Sequence, residues 1–194
     1  MGLEVVLGAL VLLGPLSHVP SLVRLIRLKT GDGMTVTLCG IGFLSYGGWL
    51  VLVVPLGVYM LGVVLCSALL EVASMWYVRK WGASPWRHVF GWLAAAALVG
   101  LLAVYVPGAA FPFVLLVDLS WYVRALRDIL FSKAARAVSA WGWVCSLSAN
   151  GAWAVSAFNE RAWWLLLQCV PLTIAASCAL CATLYAHRRD LPVW

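Results

Sequence analysis

Seven long apolar stretches follow one another along the chain, and short segments separate them. A helix that crosses a bilayer needs about 20 consecutive apolar residues, and every stretch reaches that length. The pattern therefore predicts seven transmembrane helices, over residues 3–28, 35–54, 58–78, 86–106, 111–130, 138–158 and 162–186. The breaks, at 30–33, 55–57, 82–85, 107–108, 132–136 and 159–161, all carry Gly, Pro or charge, as helix ends do.

The composition agrees with this pattern. The chain has 194 residues, of which 64% are hydrophobic and 10% charged, whereas soluble domains have about 45–50% apolar and about 25% charged residues. The sequence therefore predicts an all-α integral membrane protein whose first partner is the lipid bilayer. The net charge of +6 is spread over short loops, so it does not indicate a nucleic-acid partner.

The charges also predict an orientation. With seven spans, twelve of the thirteen Lys and Arg residues fall on one side of the membrane, and only Arg161 falls on the other. Positive loops stay on the cytoplasmic side, so the N-terminus is predicted outside and the C-terminus in the cytoplasm. The expected location is the plasma (inner) membrane. The twelve are Arg24, Arg27, Lys29, Arg79, Lys80, Arg87, Arg124, Arg127, Lys133, Arg136, Arg188 and Arg189.

One helix–turn–helix segment occurs twice. Residues 20–49 return in diverged form at 120–153, with Arg24 matching Arg124 and Trp49 matching Trp153. An internal repeat predicts a repeated structural unit. We therefore expect a 3-1-3 arrangement: a three-helix bundle at 1–81, a linker helix at 82–107 and a second bundle at 108–194. Small residues in the linker, the alanines at 94–97 and Gly100, predict a packing role for it.

Short motifs within the repeat resemble a known family. The first copy has Pro20-Ser21, a basic turn ending in Lys29-Thr-Gly-Asp-Gly-Met-Thr35, and Tyr46-Gly-Gly-Trp49, and the second has Asn150-Gly-Ala-Trp153. With the 3-1-3 arrangement, these resemble the PQ-loop repeat of the SWEET and SemiSWEET sugar transporters, although Ser21 stands where that repeat has Gln. Pro20 matches a core-helix proline of the family, which makes it a gating candidate.

The resemblance implies a membrane transporter of a small polar solute, with mono- and disaccharides as candidates, that works by alternating access around a central cavity. The wider PQ-loop group also contains proton-coupled amino-acid carriers, and a similar fold serves as a cargo receptor. A proton-coupled carrier and a non-transporting receptor or assembly factor therefore remain alternatives. No nucleotide-binding or nucleophile motif occurs, so we expect no enzyme, cofactor or metal. An oligomer is compatible with each alternative.

Two helix faces predict the cavity. Residues spaced by three or four positions share one face of a helix. Such a face carries Cys39, Gly42 and Tyr46 on the second span, and Trp143, Ser146 and Asn150 on the sixth. These residues are the predicted solute contacts. The alternative interpretation is close helix packing, with Trp49 and Trp153 at the membrane interface.

Three ionisable residues interrupt the apolar spans. A charge in the bilayer is costly, so His18, Glu71 and Asp118 are expected to face a cavity or a partner. His18 lies six residues before Arg24 and Asp118 six before Arg124, which predicts that the two face each other and share a proton. A structural hydrogen bond is the alternative. Glu71 has no counterpart, so we expect a structural role, with proton coupling as the alternative.

Overall fold

The computed structural model describes residues 8–29, 35–54, 58–81, 85–131, 139–159 and 161–189, which are helical with no strand among them. The first stretch, α1, has the segments Leu13–Leu16 and His18–Leu28. It is followed by α2 (Val36–Val53), α3 (Val58–Trp81), α4 (Trp86–Tyr105), α5 (Pro107–Phe131), α6 (Ala140–Asn159) and α7 (Trp163–Arg189). The start of the first predicted span, the predicted breaks at 30–33, 55–57 and 132–136, and most of that at 82–85 lie outside the described residues.

Local chemistry explains several helix ends. The Thr35 hydroxyl accepts a hydrogen bond from the Leu38 backbone N–H at 3.0 Å and so caps α2. Lys29 adopts a left-handed conformation, with φ of 49°, and terminates α1. The fifth helix begins at Pro107, four residues before its predicted start, because proline is well tolerated at the first position of a helix.

Six helical stretches of the described chain are long and apolar enough to cross a membrane. In chain order they are Gly8–Arg27, α2, α3, α4, Gly108–Phe131 in α5 and Trp163–Arg188 in α7. The all-α character is thereby confirmed for the described residues, and these six helices have the length and composition of membrane spans. The sixth predicted span, α6, is a helix of 20 residues but is not among these six. Its serines, glycines and asparagine lower its hydropathy, so a seventh span is not established by length and composition.

The outer and inner surfaces of the helices have the polarity expected in lipid. Large apolar side chains face outward, among them Leu69 (70% exposed), Val123 (66%) and Leu167 (66%). Buried residues include the polar Gln168 and Thr183. The interior is mainly apolar, as in a soluble protein. The extent of the exposed apolar surface is what differs, because exposed apolar patches are small in water-soluble proteins.

The helix contacts close a ring. Helix α3 packs against both α1 and α2, and α7 packs against both α5 and α6. Helix α1 also contacts α6, and α2 contacts α5, so these six helices surround a common interior. The remaining helix, α4, lies along α2 and touches α3 and α5 as well.

Glycine permits the closest of these contacts. A Cβ atom added at Gly47 would overlap the backbone carbonyl of Ala96 in α4, and one at Gly48 would overlap the Val114 side chain in α5. A Cβ at Gly100 of α4 would lie 3.3 Å from the Gly47 carbonyl oxygen. Small residues allow helices to approach this closely in lipid. The expected packing role of Gly100 and the neighbouring alanines agrees with these contacts.

We expect Gly47→Ala to destabilise the protein by about 1–3 kcal/mol, because the α4 backbone has to move to accommodate the new methyl group. Gly62 is the matched control, since a Cβ there meets no atom within 4 Å. Gly62→Ala should be neutral or stabilising by up to about 1 kcal/mol, since alanine is the better helix former. Thermal unfolding in detergent measures both. Equal midpoints for the two variants would contradict a close α2–α4 contact.

Candidate functional site

A cavity of about 200 Å³ lies inside the ring of helices. Side chains from α1, α2, α3, α5, α6 and α7 line it. Nine of the residues singled out from the sequence are among them: His18, Cys39, Gly42, Tyr46, Glu71, Asp118, Trp143, Ser146 and Asn150. Pro20 lies in α1 and is not among the described lining residues. The two predicted helix faces therefore do meet at one cavity, while their role in solute binding and the gating role of Pro20 stay predictions.

The first polar cluster connects α1, α2 and α3. The Nδ1 atom of His18 lies 3.2 Å from Oε1 of Glu71, whose side chain is only 3% exposed. The other ring nitrogen, Nε2, lies 2.8 Å from the Tyr46 hydroxyl. Both sides of the imidazole are thus engaged, which fixes the ring between the acid and the phenol.

The second cluster is centred on Asp118 of α5. Its Oδ1 accepts a short hydrogen bond from the Ser45 hydroxyl in α2. Its Oδ2 accepts hydrogen bonds from Nε1 of Trp49 and from Nε2 of Gln168 in α7, both at 3.2 Å. Three donors on two other helices therefore compensate the removal of this carboxylate from water.

The third cluster connects α5 and α6. The Tyr122 hydroxyl lies 2.9 Å from Oγ of Ser146 and accepts a hydrogen bond from Nδ2 of Asn150 at 3.1 Å. The cluster contains no charged group. It holds the two predicted solute contacts Ser146 and Asn150 beside a phenol at the cavity wall.

The structure corrects the predicted contact between His18 and Asp118. The acid on His18 is Glu71, and Asp118 is bound by Ser45, Trp49 and Gln168 instead. The structural role expected of Glu71 stays a prediction, since its contact with His18 is compatible with proton coupling as well. Both His18 and Asp118 still line the same cavity.

The error has a simple geometric cause. The His18–Tyr46 and Tyr122–Asn150 hydrogen bonds each join residues 28 positions apart. His18 thus corresponds to Tyr122, and Asp118 lies four residues earlier, one helical turn away. The same shift relates Asp118 to Gly14 and Ser45 to Ala149. Gly14 and Ala149 are also neighbours, since a Cβ atom added at Gly14 would lie 3.8 Å from the Cβ of Ala149. Matching the arginines had displaced the repeat by one turn.

Trp49 and Trp153, which the alternative interpretation places at the membrane interface, lie close together. Their rings lie 6.5 Å apart, centroid to centroid, and both side chains line the cavity. The Trp49 indole is held there by its hydrogen bond to Asp118. The position of the two tryptophans at the membrane interface stays a prediction.

Several polar atoms at the cavity are left unpaired. No described residue hydrogen-bonds Oε2 of Glu71, Nε1 of Trp121 or Nε1 of Trp143, although all three atoms are buried. The three side chains line the cavity. Buried polar atoms are nearly always hydrogen-bonded, so these three mark positions where a solute or water can bind.

The charged groups that line the cavity are mainly acidic. Among its described residues it has two carboxyl groups, on Glu71 and Asp118, one imidazole, on His18, and no Lys or Arg. The cavity therefore offers acceptors through its acids and donors through its indoles, and it disfavours solutes whose charge is purely negative.

Sequence reasoning missed several contributors to the site, among them Tyr122, Gln168 and Trp121. Tyr122 lies four residues after Asp118, on the same helix face, so the spacing could have indicated it. Gln168 is the only strongly polar residue in the run 163–170, and a lone amide in a transmembrane stretch usually has a partner. The position of Trp121 beside the cavity had no such signal.

Comparison with known proteins gives no further guide to function, because no family model, curated protein or solved structure matches the chain.

We expect the His18–Glu71 contact to appear as coupling in a double-mutant cycle. His18→Gln and Glu71→Gln should each destabilise the protein, and the double variant should lose less than the sum. The coupling should be about 0.5–3 kcal/mol, because residues in contact are not additive. Unfolding in detergent supplies the three differences. The matched cycle of His18→Gln with Asp118→Asn should show a clearly smaller coupling; equal coupling in the two cycles would contradict the observed pairing.

Proposed function

We propose that this protein is a membrane transporter that passes a small polar solute through the central cavity by alternating access. The observation that carries the proposal is the set of buried, unpaired polar atoms on Glu71, Trp121 and Trp143 around a cavity in an otherwise apolar helical protein. A purely structural interior would pair these atoms or replace them with apolar groups.

The helix contacts support the 3-1-3 arrangement as part of this proposal. In each proposed unit the third helix packs on the first two, as α3 does on α1 and α2, and α7 on α5 and α6. The equal spacing of the His18–Tyr46 and Tyr122–Asn150 hydrogen bonds supports a repeat. Parallel repeats around a central site are one of the arrangements that transporters use. Helix α6 is then the seventh span, its polarity explained by its face on the cavity.

The unpaired atoms favour a hydroxyl-bearing solute. Glu71 Oε2 requires a donor, whereas the indole nitrogens of Trp121 and Trp143 require an acceptor. A hydroxyl group supplies both, and aromatic rings stack on the apolar faces of a sugar. The volume of about 200 Å³ is below the roughly 300–1,000 Å³ of pockets for drug-sized ligands. A monosaccharide or another small polyol is therefore the proposed solute.

The hydrogen bonds also suggest how the two units move. The His18 and Tyr122 clusters each lie within one proposed unit, whereas Asp118 joins the second unit to Ser45 and Trp49 of the first. Rocking of rigid units preserves the internal clusters and changes the contacts between units. The Asp118 contacts are thus the ones that we expect to break and re-form during transport.

A second candidate function is a proton-coupled carrier. The observation that favours it is the buried contact between His18 and Glu71, two groups that can exchange a proton next to the solute cavity.

Counterflow in proteoliposomes tests the proposal. A panel of labelled monosaccharides, polyols and amino acids should include at least one solute that exchanges. Asn150→Ala should lower that exchange about fivefold, because the loss of one hydrogen bond costs about 1 kcal/mol. The matched control is Ser148→Ala on the same helix, because Ser148 bonds only its own helix, at the Val144 carbonyl.

The two candidates separate in the same liposomes when an inward proton gradient is imposed. Accumulation driven by the gradient supports the proton-coupled carrier if the gradient effect, measured relative to each variant's own counterflow, is lost in Glu71→Gln and kept in Asn150→Ala. Equilibration without any gradient effect supports facilitated transport. No flux of any solute by correctly folded protein would contradict transport and favour a receptor or assembly factor.

The proposed orientation has its own test. A cysteine introduced at Gly108 should react with an impermeant thiol reagent added outside intact cells, since this residue is exposed at the start of α5. A cysteine at Gly57 should behave in the same way, and cysteines at Gly33 or Gly82 should react only after the cells are opened. The reverse pattern would place the basic loops outside and overturn the orientation.

A further inference from the structure

A stack of exposed aromatic rings lies where α3 ends and α4 begins. The rings of Trp76 and Trp86 are 4.7 Å apart between centroids, and those of Trp86 and Phe90 are 6.1 Å apart. The three side chains are 54%, 36% and 63% exposed, respectively. Tryptophan at this level of a transmembrane helix is typical of the interface between the acyl chains and the headgroups.

Positive charge lies on this stack and beside it. The Arg79 guanidinium lies over the Trp86 ring at 5.0 Å from its centroid, and the Lys80 ammonium lies over Trp81 at 5.9 Å. Arg87, next to Trp86, is exposed. Arg79 Nε is buried and no described residue accepts its hydrogen bond. The Trp86 ring thus holds the Arg79 side chain in place, while the Arg79 Nε donor has no described acceptor.

The described part of the chain contains no acid for these cations. Its acidic residues are Glu71, Asp118 and Asp128. Glu71 pairs with His18, Asp128 pairs with Arg124, and Asp118 is bound by Ser45, Trp49 and Gln168. Three cations within nine residues therefore lack a described negative partner, and charge complementarity requires one from outside these residues.

The position at the membrane identifies that partner. Both Val58–Trp81 and Trp86–Tyr105 are long and apolar enough to cross a bilayer, so the corner between them lies at the depth of the lipid phosphates. We propose that Trp76, Arg79, Lys80, Trp86, Arg87 and Phe90 form a binding site for an anionic phospholipid, with the headgroup phosphate on Arg79. Arginine presents a fork of donors that matches phosphate oxygens, while the exposed rings contact the glycerol and upper acyl region. A zwitterionic lipid fits less well, because its own cation repels the cluster.

Native mass spectrometry of the full-length protein, released from nanodiscs, tests the site. Nanodiscs of phosphatidylcholine alone are compared with nanodiscs of an equal mixture with phosphatidylglycerol. The wild type should retain phosphatidylglycerol in preference to phosphatidylcholine. Arg79→Gln should reduce that retention about fivefold, the effect expected of one cation near an anionic headgroup. The matched control is Arg27→Gln, which removes another exposed arginine from the end of a helix and should retain the lipid.

Trp86→Leu provides a second variant without a change of charge, and it too should lose the preference, because the platform for the guanidinium is gone. Equal effects of Arg79→Gln and Arg27→Gln would show general charge attraction and overturn the site. A wild type without lipid preference, or a Trp86→Leu variant that keeps it, would do the same. Addition of inorganic phosphate should not displace the lipid; displacement at millimolar phosphate would assign the site to a free anion instead.

Discussion

A carboxylate that is partly removed from water needs hydrogen-bond donors, and Asp118 obtains them from Ser45, Trp49 and Gln168. This requirement determines much of the architecture. It brings α2 and α7 to the same point on α5, and it turns the Trp49 ring away from the lipid and into the cavity. A donor lost from this set would leave a partly compensated charge in the interior, which costs more than an absent contact. Asp118 is therefore both an anchor between helices and, in the proposed transporter, the contact between units that has to remain breakable.

Helix α2 has to satisfy two demands at once. One side packs against α4 and α5 closely enough that Gly47 and Gly48 cannot carry a side chain without displacing a neighbour. The other presents Tyr46 and Trp49 to the cavity. Glycines and aromatic residues in adjacent positions are the consequence, since a helix rotates by about 100° per residue and successive positions face different neighbours. The same alternation explains why the stretch has no dominant apolar face, and why its role could be inferred only from the spacing of its polar and aromatic residues.

The sequence sufficed for the features that depend on a periodic pattern. The lengths of the apolar stretches predicted the helices. The spacing of three or four residues predicted that Tyr46 and Asn150 face the cavity that both line in the structure. The sequence could not predict which side chains are partners. Partners depend on how far neighbouring helices are shifted along their axes, and these helices are distant in the chain. The match of Arg24 with Arg124 displaced the repeat by one turn and so paired His18 with Asp118, while the actual partner, Glu71, lies on a third helix. A one-turn error preserves the face of a helix, which is why His18 and Asp118 line the same cavity although they are not partners.

The two halves of the cavity share a geometry but differ in chemistry. His18 contacts Tyr46 and Glu71, whereas the equivalent Tyr122 contacts Asn150 and Ser146. The same shift makes Ala175 the counterpart of Glu71, and Ala175 packs against the apolar cluster that contains Tyr122. Each unit thus has one acid that the other lacks: Glu71 in the first, where the second has Ala175, and Asp118 in the second, where the first has Gly14. Both acids line the cavity. In the proposed transporter a solute would therefore meet the two acids at positions that the repeat does not relate, so a repeated scaffold is compatible with two walls of different chemistry.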